Sequence, residues 1–340
     1  MNNKRIGLQT VKLMSMPSII AHAAVGGKME GQGPLSDCFD YICNDSYFGS
    51  KCWEGAESAM LKKCFDLAVG KANCESSALN YVFSGDLLNQ CVGSAFALKG
   101  YNVPFFGLYG ACSTMAESLS LAALTIDGGF AELVCALTSS HFCSAERQFR
   151  LPLAYGGQRC PTAQWTATAA GALILSNQGP GPYVTHVTTG KIVDGGICDA
   201  SNMGAAMAPA ALETLCTHFS DTGRSPDYYD LIVTGDLGFI GHDIVTELAV
   251  DSGFDLSKNY SDCGMLIYDR EKQDVHAGGS GCGCSASVLA GSLIPKIKSG
   301  EISRLLFAAT GALMSPTTSL QGESVLGICH AISIERDKIF

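Results

Sequence analysis

The feature of this chain that most constrains its fold is a pattern that occurs twice. Gly85-Asp86-Leu87 returns as Gly235-Asp236-Leu237, each time at the end of a short apolar segment. A second set of matches keeps a constant spacing of 172 residues along the chain: Cys112-Ser113 with Cys284-Ser285, Gly128 with Gly300, and Thr138 with Thr310. Matching order and a constant spacing predict an internal duplication.

Short apolar segments alternate with longer helical ones in both copies, which is typical of strand–helix–strand units. Such units predict an α/β fold of two mostly parallel sheets, with helices between and outside them. The turn Gln178-Gly179-Pro180-Gly181-Pro182 is the natural midpoint. We therefore expect an N-terminal half over residues 1–180, with an irregular extension over 1–52, and a C-terminal half over 181–340.

The composition excludes several classes of protein. Of the 340 residues, 47% are hydrophobic and 16% are charged, which indicates a globular chain with much buried surface. The net charge of −10 argues against a nucleic-acid partner. No apolar stretch approaches the roughly 20 residues that span a bilayer, and no hydrophobic segment of a signal peptide follows the N-terminus. Membrane association would have to be peripheral or through a partner.

The 16 cysteines do not form a recognisable framework. None of them stands in a Cys-x-x-Cys motif, so a zinc ribbon or a thioredoxin-like site has no support. Thiols scattered through apolar segments are typical of free, mostly buried cysteines in a reducing compartment.

One cysteine stands at a turn where chemistry is expected. The apolar run from Val103 to Leu108 predicts a short buried strand, and Gly110 then allows a tight turn. A helix with an apolar stripe is predicted from Ser113 to Ile126, so Cys112 precedes a helix N-terminus. That position favours a thiolate and attracts anions. The alternative is a small buried cysteine at a tight corner.

Several polar or reactive side chains are expected to converge on one crevice. In α/β sheets the ligand site lies at the carboxyl ends of the strands. The following residues stand at or just past predicted strand ends: Asp86, Cys112, His141, Asp236, Cys282 and Leu313.

The longer motifs resemble a known family. With a cysteine at the elbow of its first half, the duplicated chain resembles the thiolase and ketoacyl-synthase superfamily. Over residues 80–315 it is similar to the stage V sporulation protein AD family, in segments that include Gly85-Asp86-Leu87-Leu88-Asn89-Gln90, Gly110-Ala111-Cys112-Ser113-Thr114, Thr138-Ser139-Ser140-His141 and Ala145-Glu146-Arg147-Gln148-Phe149-Arg150. The resemblance implies a thiolase-like αβαβα fold and a homodimer.

The same resemblance implies a role in spore formation. Members of the family bind dipicolinic acid and help to load it into the developing spore as its calcium chelate. They act with other stage V sporulation A proteins at the spore inner membrane, so a forespore or spore location peripheral to that membrane is expected.

The residues around Cys112 disfavour catalysis. Condensing enzymes of the superfamily place a His or Asn in the strand-end loop that here contains Asp236, and an Asn or His where this chain has Cys282. A carboxylate facing the thiol raises the thiol pKa. His141 could act as the base, although a lone His at a strand end is more often structural. We expect no catalytic residue, with Cys112 a vestigial nucleophile; the alternatives are a condensing acyl-transfer enzyme that uses Cys112 and an assembly scaffold with a vestigial pocket.

A ligand-binding interpretation uses the same residues. The helix end after Cys112 would hold one carboxylate of dipicolinate, and arginines 147, 150 and 159 would hold the other. The alternative for these arginines is an ion pair with Glu146 or a solvated loop. Asp86 and Asp236 could share a calcium ion with the ligand, or cap the following helices; no metal site of the protein's own is expected. The predicted ligand-binding set is Asp86, Asn89, Cys112, His141, Arg147, Arg150, Asp236 and Cys282.

Overall fold

The computed structural model describes residues 4–149 and 159–339, and Arg150 lies outside this part. Its strands are β1 (Arg5–Ile6), β2 (Thr10–Lys12), β3 (Ser18–Gly26), β4 (Tyr41–Ile42), β5 (Tyr81–Gly85), β6 (Phe105–Leu108), β7 (Leu133–Ser140), β8 (Trp165–Thr166), β9 (Ala169–Ser176), β10 (Tyr183–Thr188), β11 (Val193–Asp194), β12 (Leu231–Thr234), β13 (Tyr260–Asp262), β14 (Gly279–Ser280), β15 (Arg304–Leu313) and β16 (Leu326–Glu335).

The α-helices of the described residues are α1 (Trp53–Ala72), α2 (Val92–Ala97), α3 (Thr114–Asp127), α4 (Phe142–Phe149), α5 (Met203–Thr222), α6 (Gly238–Asp251), α7 (Cys263–Leu266), α8 (Cys282–Val288), α9 (Ile294–Ser299) and α10 (Pro316–Leu320). A π-helical turn, Leu289–Leu293, joins α8 to α9. Short 3-10 helices occur at Glu30–Gln32, Ser36–Cys38, Ser76–Ala78, Asn89–Cys91, Ala111–Ser113 and Pro226–Tyr228. None of the described helices is both long and apolar enough to cross a membrane.

The two halves share one strand order. It is β6-β5-β7-β9-β3 in the first half and β13-β12-β15-β16-β10 in the second, and the halves join where Tyr183 of β10 pairs with Ser18 of β3. Strand β5 in the first half and strand β12 in the second are each parallel to both of their neighbouring strands. The other two pairings are antiparallel. The sheets are therefore more mixed than the expected mostly parallel sheets, because the fourth strand of each half runs back along the third.

The helices complete five layers. In the middle layer, α3 packs against strands of both halves and α8 packs beside it, within the largest apolar core. The stripe predicted for α3 is buried there: Met115, Leu119, Ala122, Ala123 and Ile126. Helix α1 covers the outer face of the first half, and α5 covers that of the second. The αβαβα arrangement expected from the sequence is present.

The strand before Cys112 differs from its prediction. Strand β6 is an edge strand, paired with β5 on one side, and it is not buried. Phe106, in its middle, is 52% exposed. The prediction of a buried strand was wrong, because an apolar run does not tell whether a further strand lies on its outer side.

Close backbone contact holds α8 against β9. A Cβ atom on Gly171 of β9 would lie 2.2 Å from the carbonyl oxygen of Ala286 in α8. A Cβ on Gly283 of α8 would likewise lie 2.2 Å from the carbonyl oxygen of Ala169. Only glycine at these positions lets the helix lie directly on the strand.

We predict opposite effects for two glycine-to-alanine substitutions. Gly171→Ala should lower the free energy of unfolding by about 1–3 kcal/mol, since the methyl group overlaps buried backbone. Gly70→Ala, on the exposed side of α1 with open space around its Cβ, should raise it by about 0.5–1 kcal/mol. Chemical denaturation measures both, and equal effects would contradict this account of the α8–β9 contact.

Candidate functional site

A cavity of ≈ 330 Å³ opens where the ends of β6 and β15 meet the start of α3. Its described lining comes from both halves and carries no charged side chain: Leu87, Asn89, Tyr109, Ala111, Cys112, Gln148, Phe149, Met203, Ala312, Leu313, Met314, Ser315, Pro316 and Thr318. Its size lies within the range of small-molecule sites.

Cys112 lies on a strained turn that lines this cavity. It is the middle residue of the 3-10 turn before α3, and it is 5% exposed. Ala111 has a φ of 50°, a left-handed conformation that side chains other than glycine seldom adopt. Gly311 of β15 lies against the turn, since a Cβ there would be 2.7 Å from the carbonyl oxygen of Gly110. The second half thus forms one wall of the elbow.

Asp236 is the charged partner of this thiol. Its buried carboxylate accepts hydrogen bonds from Thr310 Oγ1 at 2.9 Å, Gly281 N at 3.0 Å and Ser280 Oγ at 3.1 Å. The Cys112 thiol lies close enough to this carboxylate to interact with it electrostatically. Burial and then the negative charge of Asp236 hold the pKa of Cys112 well above its ordinary value. The thiol is therefore protonated at neutral pH, in the direction expected from the sequence.

Cys282 lies beside Cys112, and its thiol is likewise disfavoured as a thiolate. Both thiols belong to one small apolar cluster with Leu87 and Ala145. The Cys282 thiol donates to the carbonyl oxygen of Ser139 at 3.0 Å. Burial first, and the proximity of Cys112 next, raise the pKa of Cys282 well above its usual range. Raised pKa values at both thiols make them weak nucleophiles.

Asp86 does not face the cavity. Its carboxylate accepts from Leu88 N at 2.9 Å and from the backbone N and Oγ of Ser94, both at 2.7 Å. It therefore organises the loop before α2, as the capping alternative implies. Asp86 and Asp236 are both occupied by protein donors, and the described residues contain no group of three His, Cys, Asp or Glu side chains suited to a metal ion.

His141 is a packed residue rather than a base beside Cys112. Its Nε2 lies 2.8 Å from the carbonyl oxygen of Ser46, and its ring packs 5.6 Å from that of Trp53. Burial lowers its pKa, so the ring is neutral at neutral pH. His141 is not part of the described cavity lining.

Two of the three arginines expected to hold a carboxylate, Arg147 and Arg159, pair with acidic residues and are not part of the described cavity lining. Arg147 forms an ion pair with Glu54, with its Nε 2.9 Å from Oε1. Arg159 pairs with Asp274 at 3.2 Å and lies over the ring of Trp165. The ion-pair alternative holds for both, although with partners other than Glu146. Arg150, in the predicted ligand-binding set, lies outside the described residues.

The polar groups at the cavity are amides and hydroxyls. Asn89, in the predicted set, lines the cavity and accepts a hydrogen bond from Tyr109 OH at 2.9 Å. The backbone N–H of Asn89 donates to Gln148 Oε1 at 3.5 Å. Sequence reasoning missed Tyr109 and Gln148, although both stand within the segments that it singled out. The wall after Leu313 was also not predicted, because the residues that form it carry no recognisable motif.

We predict that Asp236→Asn activates Cys112. Removal of the negative charge lowers the pKa of the thiol. At a pH below that pKa, lowering the pKa by one raises the thiolate fraction about tenfold. The rate of iodoacetamide alkylation at Cys112, followed by peptide mass spectrometry against pH, measures this. Asp86→Asn is the matched control, since Asp86 does not contact Cys112. An alkylation rate that does not change in Asp236→Asn would contradict the role assigned to Asp236.

Known proteins of the same architecture share this fold. A 3-oxoacyl-[acyl-carrier-protein] synthase III from Aquifex aeolicus VF5 superposes with a TM-score of 0.55 at 13% identity, covering 94% of this chain and 99% of that one. Cerulenin-bound OleA of Xanthomonas campestris gives a TM-score of 0.60 at 12% identity, covering 98% of this chain and 99% of that one. At these identities the likeness shows a thiolase-like fold and leaves catalysis open.

Sequence comparison is more specific. Residues 7–335 match the family model for Stage V sporulation protein AD. Stage V sporulation protein AD of Bacillus subtilis (strain 168) is 42% identical over 311 residues, which cover 91% of each chain. With its thiolase-like fold, this chain belongs to the stage V sporulation protein AD family.

Proposed function

We propose that this sporulation protein is a non-catalytic binder of dipicolinic acid that acts in its uptake into the developing spore. The observation that carries the proposal is a preformed cavity whose lining thiol, Cys112, is held protonated against Asp236. The family resemblance supports dipicolinate as the ligand, its calcium chelate as the transported form and the spore inner membrane as the place of action.

The surroundings of Cys112 support a non-catalytic role. Acyl transfer requires a thiolate, and usually a base to form it. Among ionisable side chains, the carboxylate of Asp236 has the largest effect on Cys112, and it disfavours the thiolate. His141 is turned to Ser46. The fold of a condensing enzyme is thus retained without the means to activate its cysteine.

The cavity suits a flat aromatic ligand with polar edges. Phe149, Met203 and Leu313 supply apolar walls for a ring, while the amides of Asn89 and Gln148 can donate to carboxylate oxygens. A bare dianion would lose its hydration without a cation in the described lining to replace it. Calcium would therefore enter bound to the ligand, which neutralises the dianion before it is buried.

We predict that calorimetry detects dipicolinate binding, stronger with Ca²⁺ than without it. Leu313→Trp should reduce the affinity at least about tenfold, since a larger side chain fills the cavity. Ile192→Trp, on an exposed residue outside the lining, is the matched control. No heat beyond that of pyridine-2-carboxylate would contradict the proposal.

Cys112→Ser separates binding from catalysis. The substitution removes the nucleophile and nearly preserves the shape of the side chain, so a binder should retain dipicolinate affinity and support normal spore dipicolinate. If the chain is a condensing enzyme, acyl-CoA should instead leave an acyl group on Cys112 that mass spectrometry detects. Normal binding together with depleted spore dipicolinate would favour the catalytic alternative.

The membrane and partner assignments complete the proposal. The chain would act at the surface of the spore inner membrane, held there by other stage V sporulation A proteins. Fractionation of spores checks this. Recovery of the chain from membranes of a strain that lacks those proteins would show that it does not need them.

We also propose that the protein is a homodimer that pairs through β6. This edge strand exposes unpaired backbone groups. Phe105 and Phe106 on β6 are 38% and 52% exposed, and Phe96 on α2, the helix that precedes β6 in the chain, is 64% exposed. A second copy could add its own β6 across a twofold axis and cover these rings, since a twofold interface uses the same patch on both chains.

The dimer predicts a difference between two exposed phenylalanines. Phe96→Asp should weaken self-association at least about tenfold, because it places a charge in a buried interface. Phe130→Asp, at a residue that is 77% exposed and lies on neither β6 nor α2, should leave it unchanged. Sedimentation equilibrium measures both, and a chain that is monomeric at every concentration would contradict the proposal.

A further inference from the structure

The segment between β15 and β16 forms one wall of the cavity. Residues 314–325, here called the 314–325 connection, link these two antiparallel strands. Four of its residues line the cavity: Met314, Ser315, Pro316 and Thr318. They belong to the second half of the chain, whereas Cys112 belongs to the first.

This connection is fastened mainly at its ends. The sheet pairing reaches Leu313 and Leu326, the two residues that flank it. Near its C-terminal end, Val325 N donates to the carbonyl oxygen of Ile197 at 2.7 Å and Ser324 Oγ donates to Asp194 Oδ2 at 2.8 Å. Movement of the residues between these attachments would therefore break no pair of the sheet.

Between its ends the connection bonds mostly to itself. Ser315 and Thr318 form a reciprocal capping box at the start of α10. The backbone N–H groups of Ser319, Gln321, Gly322 and Glu323 donate to carbonyl oxygens within the connection. A weak hydrogen bond links residues 315–323 to the rest of the protein, from Cys198 Sγ to the carbonyl oxygen of Gly322 at 3.9 Å. Helix α10 has no buried residue, and Leu320 is 82% exposed.

Gly322 supplies a conformational pivot. Its φ is +83°, in the left-handed region that favours glycine. No heavy atom lies within 4 Å of a Cβ built there. The glycine is therefore required by the backbone turn, not by close packing. A small folded unit with few external contacts has a low free energy of local opening.

We propose that the middle of the 314–325 connection, residues 315–323, is a lid, which moves as a unit to admit a small molecule and closes over the cavity beside Cys112. Val325, at one end of the connection, belongs to the core of the second half, and Met314, at the other end, packs against that core, so both remain in place when the lid opens. The hydrogen bonds inside the lid are preserved. Because Cys112 lines the same cavity as the lid, the reactivity of its thiol reports whether the lid is open. The identification of dipicolinate as the molecule that enters rests on the proposed function.

The first test measures access to Cys112. In one variant, Asn-Gly replaces residues 314–325, a two-residue turn that suits the β15–β16 hairpin. A bulky maleimide should alkylate Cys112 at least about tenfold faster in this variant, as expected when a closed state no longer limits access. The rate of alkylation by iodoacetamide should increase less, because a small reagent depends less on opening of the lid to reach Cys112. The exposed Cys52 and Cys160 serve as internal controls. No acceleration, or an equal one for both reagents, would overturn the lid.

A second measurement uses the unmodified chain, so it does not depend on the folding of the variant. Amide hydrogen exchange at residues 319–323 should be much faster than in the paired residues of β15 and β16. If the amides of residues 319–323 exchange as slowly as those of the paired residues in β15 and β16, the proposal is overturned. Saturating dipicolinate should slow exchange at 319–323. If calorimetry detects no dipicolinate binding while the thiol and free-chain exchange results hold, the proposed ligand fails and the lid stands.

Discussion

The structure depends on the burial of α3 and α8 between two sheets. Glycines at the contacts, such as Gly171 and Gly283, let the helices lie directly on strand backbones. This tight central layer fixes the start of α3 relative to β15. Because Cys112 stands at that start, the same packing that stabilises the fold determines which groups surround the thiol.

What surrounds the thiol is acidic and apolar. Asp236 comes from the second half at the end of β12, in the position that corresponds to Asp86 of the first. The two aspartates share a motif and a strand-end position, but they differ in role. Asp86 organises its own loop, whereas Asp236 receives hydrogen bonds from Thr310 and from the Ser280–Gly281 segment and acts electrostatically on Cys112. The duplication thus produced one structural carboxylate and one that controls a cysteine.

The prediction from sequence was most accurate where periodicity and repetition carry the information. The apolar stripe of α3 followed from spacing alone. The extension over residues 1–52, which was expected to be irregular, instead supplies β3 (Ser18–Gly26) to the centre of the sheet. The prediction also failed for β6, since exposure of an edge depends on what lies beside it. Arg147 and Arg159 were predicted to hold a carboxylate of the ligand. In the structure they instead pair with acidic residues that are distant in the sequence. The wall formed by α10 was not predicted, since the residues after Leu313 carry no motif.

The sequence by itself determined the class of fold, the duplicated halves and the position of Cys112 on a strand-to-helix elbow. These follow from local patterns, which are set by residue spacing within a few turns of chain. Only the tertiary structure decided that Asp236 holds the thiol protonated, that His141 is turned away and that the described cavity lining is uncharged. Those outcomes depend on contacts between residues that are distant in the sequence. The physical reason is burial, because the pKa of a thiol depends on its three-dimensional surroundings and not on its neighbours in the chain.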